Sequence, residues 1–285
     1  MRRIILSALV LIIAAVNVQA QVVTVLTDSD PASLGMAGAS VASQATAFSL
    51  DNNPAAMSMY EGKMAAGASY FSFQPAAVKS DIISALGFYK LTERLSAGLL
   101  FKSLSYEPYD VTSAEGRSTS TYSPGELELG LGASYLIIDG LSVGVNAKYA
   151  NLRLYENTSV TAFMFDLAAR YTNGPLAAGI NARNLGSDYF NLKVGAAYTI
   201  SAFTASAQAE YLANVGLMGS LGAQYSYKDM LFARVGFHLG KEDRIPSFLS
   251  LGAGVKFAGF VLDLSYLTLS KTLGNSLLLG LSYAF

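Results

Sequence analysis

From about residue 63 onward the chain alternates large apolar residues with small or polar ones. The last ten residues show it most plainly. Leu277, Leu279, Leu281, Tyr283 and Phe285 fall on one parity, and Ser276, Leu278, Gly280, Ser282 and Ala284 on the other. A period of two sends these sets to opposite faces of a strand. Phe260 to Ser270 and Phe248 to Phe257 repeat the pattern, and similar segments begin near Lys63, Asp81, Arg94, Glu126, Leu141, Val160, Leu176, Phe190, Ala202, Gly216 and Met230. Each is roughly 10–12 residues, the length a tilted strand needs to cross a bilayer. Two-residue turn dipeptides at Asp139-Gly140, Asn173-Gly174, Lys228-Asp229 and Ala258-Gly259 alternate with longer connections such as Ser105 to Gly125. Such dipeptides join antiparallel strands. The pattern predicts an all-β transmembrane barrel of about 14 antiparallel strands.

Charge placement separates a membrane barrel from a soluble sandwich. A Lys or Arg at the lipid midplane costs roughly 2–4 kcal/mol. With faces assigned from the apolar residues, Lys102, Glu126, Glu128, Lys148, Asp166, Arg170, Arg183, Lys193, Glu210, Arg234, Lys256 and Asp263 all take the opposite, lumenal face, and no strand charge shares the apolar one. The mixed signs suggest internal pairing, for example Lys256 with Asp263 across the Ala258-Gly259 turn. Tyr171, Tyr198, Phe203, Tyr225, Tyr227, Phe257, Phe260, Tyr283 and Phe285 gather toward the short-turn ends as an interfacial girdle. Composition agrees: of 285 residues 52% are hydrophobic and only 14% charged, yet beyond residue 20 no apolar run reaches the ~18 residues of a membrane helix. The net charge of −1 leaves no nucleic-acid footprint.

The chain opens with an address. Arg2 and Arg3, an apolar stretch from Ile4 to Val16 and the small-residue site Val18-Gln19-Ala20 read as a cleaved signal peptide over 1–20. Residues 21–62 precede the first strand and are small and apolar, with Asn53 before Pro54. The inner face is rich in glycine: Gly67, Gly87, Gly98, Gly130, Gly132, Gly144, Gly179, Gly195, Gly222, Gly236, Gly252, Gly254 and Gly280. Glycine in strands marks close backbone approach. Residues 21–62 are therefore expected to tuck into the lumen as a plug, with Gly35, Gly38 and Ala39 close to the wall, and 63–285 to form the barrel. The alternative is a cap at the mouth, with the glycines merely permitting curvature.

Enzymatic chemistry has few footholds. There is one histidine, His238, and no cysteine, which excludes disulfides and thiolate chemistry and makes a zinc site improbable. His238 shares its face with Arg234 and reads as a polar lumen residue rather than half of a Ser–His pair. Glu126 and Glu128 lie roughly 7 Å apart on one strand face. A solvated pair is a better reading than a calcium site. No catalytic residue, metal ligand or cofactor is expected.

Leu34-Gly35-Met36-Ala37-Gly38-Ala39 followed by Asn53-Pro54-Ala55 resembles the N-terminal signature of the FadL-like superfamily. Within it the chain is most similar to the PorV/PorQ branch of Bacteroidetes outer-membrane proteins, with Ala37 in place of the usual glycine. Tyr122-Ser123-Pro124, Asn184-Leu185-Gly186, the run Phe260 to Tyr266 and the closing GLSYAF extend the likeness along the chain. The resemblance implies a fourteen-stranded barrel with its N-terminal segment at or in the lumen, in the bacterial outer membrane. It further implies a non-enzymatic partner subunit of a type IX-like protein secretion or outer-membrane assembly complex. The alternative, by analogy with FadL, is a passive transporter of hydrophobic small molecules. The loop Ser105 to Gly125, rich in tyrosine, Ser and Thr with few apolar residues, suits protein contact better than lipid capture. Leu281, Tyr283 and Phe285 resemble the terminal signal read by barrel-assembly machinery. Deleting Phe285 is expected to reduce membrane insertion and leave export intact.

Overall fold

The computed structural model describes residues 27–73, 80–112, 118–155, 158–241, 245–268 and 275–284. The expected signal peptide and Phe285 lie outside these residues. The strands are β1 (Met64–Phe73), β2 (Ser80–Lys90), β3 (Leu95–Tyr106), β4 (Tyr109–Thr112), β5 (Ser118–Tyr122), β6 (Gly125–Ile138), β7 (Leu141–Tyr155), β8 (Thr158–Asn173), β9 (Leu176–Leu185), β10 (Asn191–Ile200), β11 (Phe203–Leu212), β12 (Gly216–Tyr227), β13 (Leu231–Leu239), β14 (Phe248–Phe257), β15 (Phe260–Thr268) and β16 (Asn275–Ala284). Fourteen of them close into an antiparallel barrel, in which β3 pairs with β6 and β1 pairs with β16. At the seam Ala68 lies opposite Leu281 and Ser72 opposite Leu277. The remaining two, β4 and β5, form a separate hairpin inside the long connection after β3, where a plain polar loop was expected. Thr119 Oγ1 donates to the Val111 carbonyl and Thr121 Oγ1 to Asp110, so side chains as well as the ladder hold it.

The alternation decides the faces. In β16, Leu277, Leu279 and Leu281 are 42–50% exposed while Leu278 is fully buried. Outward Leu, Ile, Val and Phe side chains recur around the whole wall, a surface suited to hydrocarbon and unsuited to water. Leu264 sits on that face in the middle of β15. Leu264→Arg is expected to cost about 2–4 kcal/mol in equilibrium folding into lipid vesicles. Ser265, which faces inward, offers a control position.

Three expectations are corrected. Gly87 faces outward, because β2 turns Ile82, Ser84, Leu86 and Phe88 inward. Two strand charges also point outward, Asp81 and Arg153, each close to the long-loop end of its strand. There the headgroup region replaces hydrocarbon, and Tyr70 donates its hydroxyl to Asp81 at 2.7 Å. Finally, strand length varies more than the pattern suggested: β7 and β8 reach 15 and 16 residues.

Candidate functional site

Residues 27–63 lie against the inward face of the barrel, and this contact is the chemically richest region of the molecule. The segment has three short helical pieces that the sequence pattern did not suggest. The first, Pro31–Gly35, begins with Asp30 accepting from the Ala32 amide and with Pro31 at a position that needs no donor. The second spans Ser49–Asn52. The third, a 3-10 turn over Pro54–Met59, starts at Asn53, whose backbone is extended (φ −154°, ψ 98°) as a residue before proline requires. Asn53 Oδ1 accepts from the Ala55 amide at 3.0 Å and its Nδ2 donates to the Val41 carbonyl at 2.6 Å.

The wall meets the segment where it has no side chains. A Cβ built on Gly179 would lie 2.1 Å from the Val41 oxygen, and one on Gly144 would lie 2.3 Å from the Ala55 nitrogen. Met36 fills the space left by Gly222 and Gly236 in the same way, and Leu34 packs among buried apolar wall residues. Gly35 approaches Gly252, with 3.0 Å from a built Cβ to the Gly252 Cα. Gly38 behaves differently from expectation: nothing lies within 4 Å of a Cβ there, so the wall does not exclude a side chain. Its constraint is its φ of +80°, which only glycine adopts freely. Wall hydroxyls finish the contact. Ser142 donates to the Ala55 carbonyl at 2.7 Å, Ser250 to Gly35 at 3.1 Å, and Ser265 to Pro31.

Asp51 is the electrostatic anchor. Its oxygens lie 2.8 Å from Lys102 Nζ and 2.7 Å from Arg183 Nη2, and all three side chains are at most 3% exposed. Burial opposes ionisation of Asp51, but the charges of Lys102 and Arg183 win and hold its carboxyl well below the usual range. Beside it Lys148 pairs with Asp166 at 2.7 Å. Glu128, fully buried and opposite Lys102 in the strand register, has neither carboxylate oxygen hydrogen-bonded. Glu126 instead accepts from the Tyr106 hydroxyl at 2.7 Å. Lys193 and Glu210 are 4.0 Å apart.

The expected pairing of Lys256 with Asp263 is replaced by Arg234 with Asp263, at 2.6 Å. The reason lies in the intervening strand. Gly252 and Gly254 face inward on β14, and a Cβ on Gly254 would sit 2.1 Å from Asp263 Oδ1. Without side chains there, Arg234 on β13 reaches over β14 to β15. Lys256 takes the inward parity of its strand but stands exposed at the short-turn mouth. Arg170 donates through Nε to the Ala42 carbonyl at 3.3 Å. Leu281 faces outward on the last strand, and Tyr283 shares its parity but is half-buried at the short-turn end, its ring 4.4 Å from that of Phe260.

Asp30 holds the segment's own fold together, accepting from Thr46 Oγ1 at 3.1 Å and Asn52 Nδ2 at 3.0 Å. Burial first, and then the charge of Asp28, push its carboxyl up to about 7. A carboxyl raised on folding contributes stability that is complete below its unfolded value, near 3.8, and is lost as pH rises through the folded value. The segment should therefore loosen between about pH 4 and pH 7. Amide exchange over residues 28–52 measures it, and Asp30→Asn should flatten that pH dependence.

His238 stacks on Phe248 with centroids 4.9 Å apart, and its Nδ1 shares a 2.9 Å hydrogen bond with buried Ser220. The pair is built into the wall, and among the described residues no acid orients the other ring nitrogen. No group of three or more His, Cys, Asp or Glu among these residues is placed to hold a metal ion.

No protein-family model matches the sequence, and no curated protein does. Solved structures do. The toluene transporter TbuX of Ralstonia pickettii superposes with a TM-score of 0.66 at 14% identity, over 90% of this chain and 99% of that one. The Pseudomonas putida toluene transporter TodX gives 0.64 at 12% identity, over 89% and 97%. A Pseudomonas aeruginosa FadL homologue gives 0.61 at 11% identity, over 90% and 98%. At such identities the likeness is one of architecture, and the chain has the FadL-like barrel fold.

Proposed function

We infer that the protein is a non-enzymatic outer-membrane barrel that passes small hydrophobic compounds, with residues 21–62 acting as a plug in its lumen. The observation that carries this reading is an apolar patch in the long-loop half of the interior. Phe71, Ile82, Leu104, Leu267 and Leu278 are each at most 6% exposed and cluster with Leu34 of the N-terminal segment; Tyr106 and Phe248 pack against them. This apolar surface beside the charged part of the lumen gives a hydrophobic solute somewhere to partition along the plug. The fold shared with toluene transporters supports the same reading and favours it over the secretion-partner expectation. In this orientation the short turns face the periplasm and the long loops face outward. The test is toluene uptake by cells that make the protein. Uptake should saturate, and Leu278→Asp should abolish it while the barrel still assembles. A barrel that neither binds nor passes toluene overturns the proposal.

The β4–β5 hairpin favours a second reading, a partner subunit of a type IX-like assembly as in the PorV/PorQ branch. It stands out of the barrel with the rings of Tyr109 and Tyr122 5.8 Å apart, an aromatic pair of the kind protein interfaces use. Stoichiometric copurification with another membrane protein, lost on removing residues 109–122, supports that reading. Purification alone, with toluene binding retained, counts against it.

A further inference from the structure

The lumen's positive charges are not all balanced. Lys102 and Arg183 meet Asp51, Lys148 meets Asp166, Arg234 meets Asp263, and Lys193 lies 4.0 Å from Glu210. Arg170 and Lys256 meet no carboxylate among the described residues. Arg170 matters most because it is only 5% exposed. Its bonds go to a carbonyl, at Ala42, and to a thioether, Met59 Sδ at 3.0 Å. Neither neutralises a guanidinium, and a buried cation without a counter-charge is costly. Its Nη2 group makes no hydrogen bond to these residues.

Arg170 and Lys256 line the same cavity, about 590 Å³, at the short-turn mouth beneath the N-terminal segment. That volume suits a small molecule. The lining also holds Asp30 and the paired Arg234 and Asp263, which leave Arg170 and Lys256 as its unpaired cations among the described residues, and the apolar surfaces of Leu176 and Phe232. We propose that this cavity binds a small organic monocarboxylate, its carboxylate on the open edge of Arg170 and its compact apolar body against the lining. Guanidinium edges match carboxylate geometry, and Lys256 adds positive potential at the entrance. The site follows from the barrel's own charges and does not depend on what crosses the lumen. Toluene uptake and carboxylate binding can therefore fail separately.

The experiment is titration calorimetry on the full-length protein in detergent, with benzoate and its neutral counterpart benzyl alcohol as probes. Benzoate should bind saturably and more weakly as salt rises. Benzyl alcohol should bind at least roughly tenfold more weakly. Arg170→Gln should lose about tenfold in benzoate affinity and leave the alcohol unchanged, with Arg170→Lys intermediate. Lys256→Gln, at an exposed position, should lose about twofold to threefold and serves as the test if substitution at Arg170 prevents folding. Absence of saturable benzoate binding, equal binding of the alcohol, or unchanged benzoate affinity in either charge-removing variant overturns the proposal.

Discussion

Asp51→Ala should convert a quiet barrel into a conducting one. The substitution leaves Lys102 and Arg183 buried with their shared partner gone. Breaking a buried pair from one side costs about 3–5 kcal/mol, since the stranded charge remains. Here two cations are stranded, and the least disruptive response is for the segment to leave and water to enter. Single-channel recording in planar bilayers should show low conductance for the native protein and a clear rise for the variant. Heat-modifiable gel mobility should show that the wall survives. Asp51→Asn should lie between, because the amide oxygen can still accept a hydrogen bond. Glu128 then becomes informative. It faces Lys102 across the register and has no hydrogen-bond partner while Asp51 is in place. Glu128→Gln in the Asp51→Ala background should lower stability further. A native barrel that already conducts freely, or a variant as silent as the native protein, would defeat this account.

Gly179→Leu should expel the segment by steric force. A first side-chain carbon there would lie 2.1 Å from the Val41 oxygen, a backbone atom that cannot swing aside as a side-chain tip does. Overpacking a tight site typically costs about 1–3 kcal/mol, and the cost falls on the contact between wall and segment. Proteolysis at residues 40–45 should rise sharply, with conductance rising alongside. Gly38→Leu provides the contrast. It pays only for a φ of +80° and meets no wall atom, so its effect should be smaller and confined to the segment.

The barrel was legible because its information is local. Period two marks both faces of a strand within about ten residues, so the strand starts and the inward set from Lys102 to Asp263 could be read from neighbours along the chain. Helix Pro31–Gly35 was not legible. It is too short to show a helical period, and much of what holds it comes from Ser250 and Ser265, more than 200 residues away. The Arg234–Asp263 pair was missed for a related reason. Sequence proximity favoured Lys256, but the glycines at 252 and 254 open a path across β14 that appears only once the register is known. Asp51 lay inside a segment rich in small residues, and nothing nearby in sequence announced the two cations it serves.

The seam between β1 and β16 joins the two ends of the wall, the most expensive loop for the chain to close in entropy. Residues 29–31 sit astride it. Ser69 on β1 donates to the Ser29 carbonyl at 2.7 Å, and the Pro31 ring occupies the space over Gly280 on β16. Ser265 on the neighbouring β15 reaches the same turn. Since the Ser69 hydrogen bond holds Ser29 against β1, the first strand carries an attachment point for the last. Barrel closure then becomes a search by β16 for a partner already assembled from β1 and the turn. Truncating this turn should slow the final phase of refolding into lipid more than it lowers the stability of the closed state.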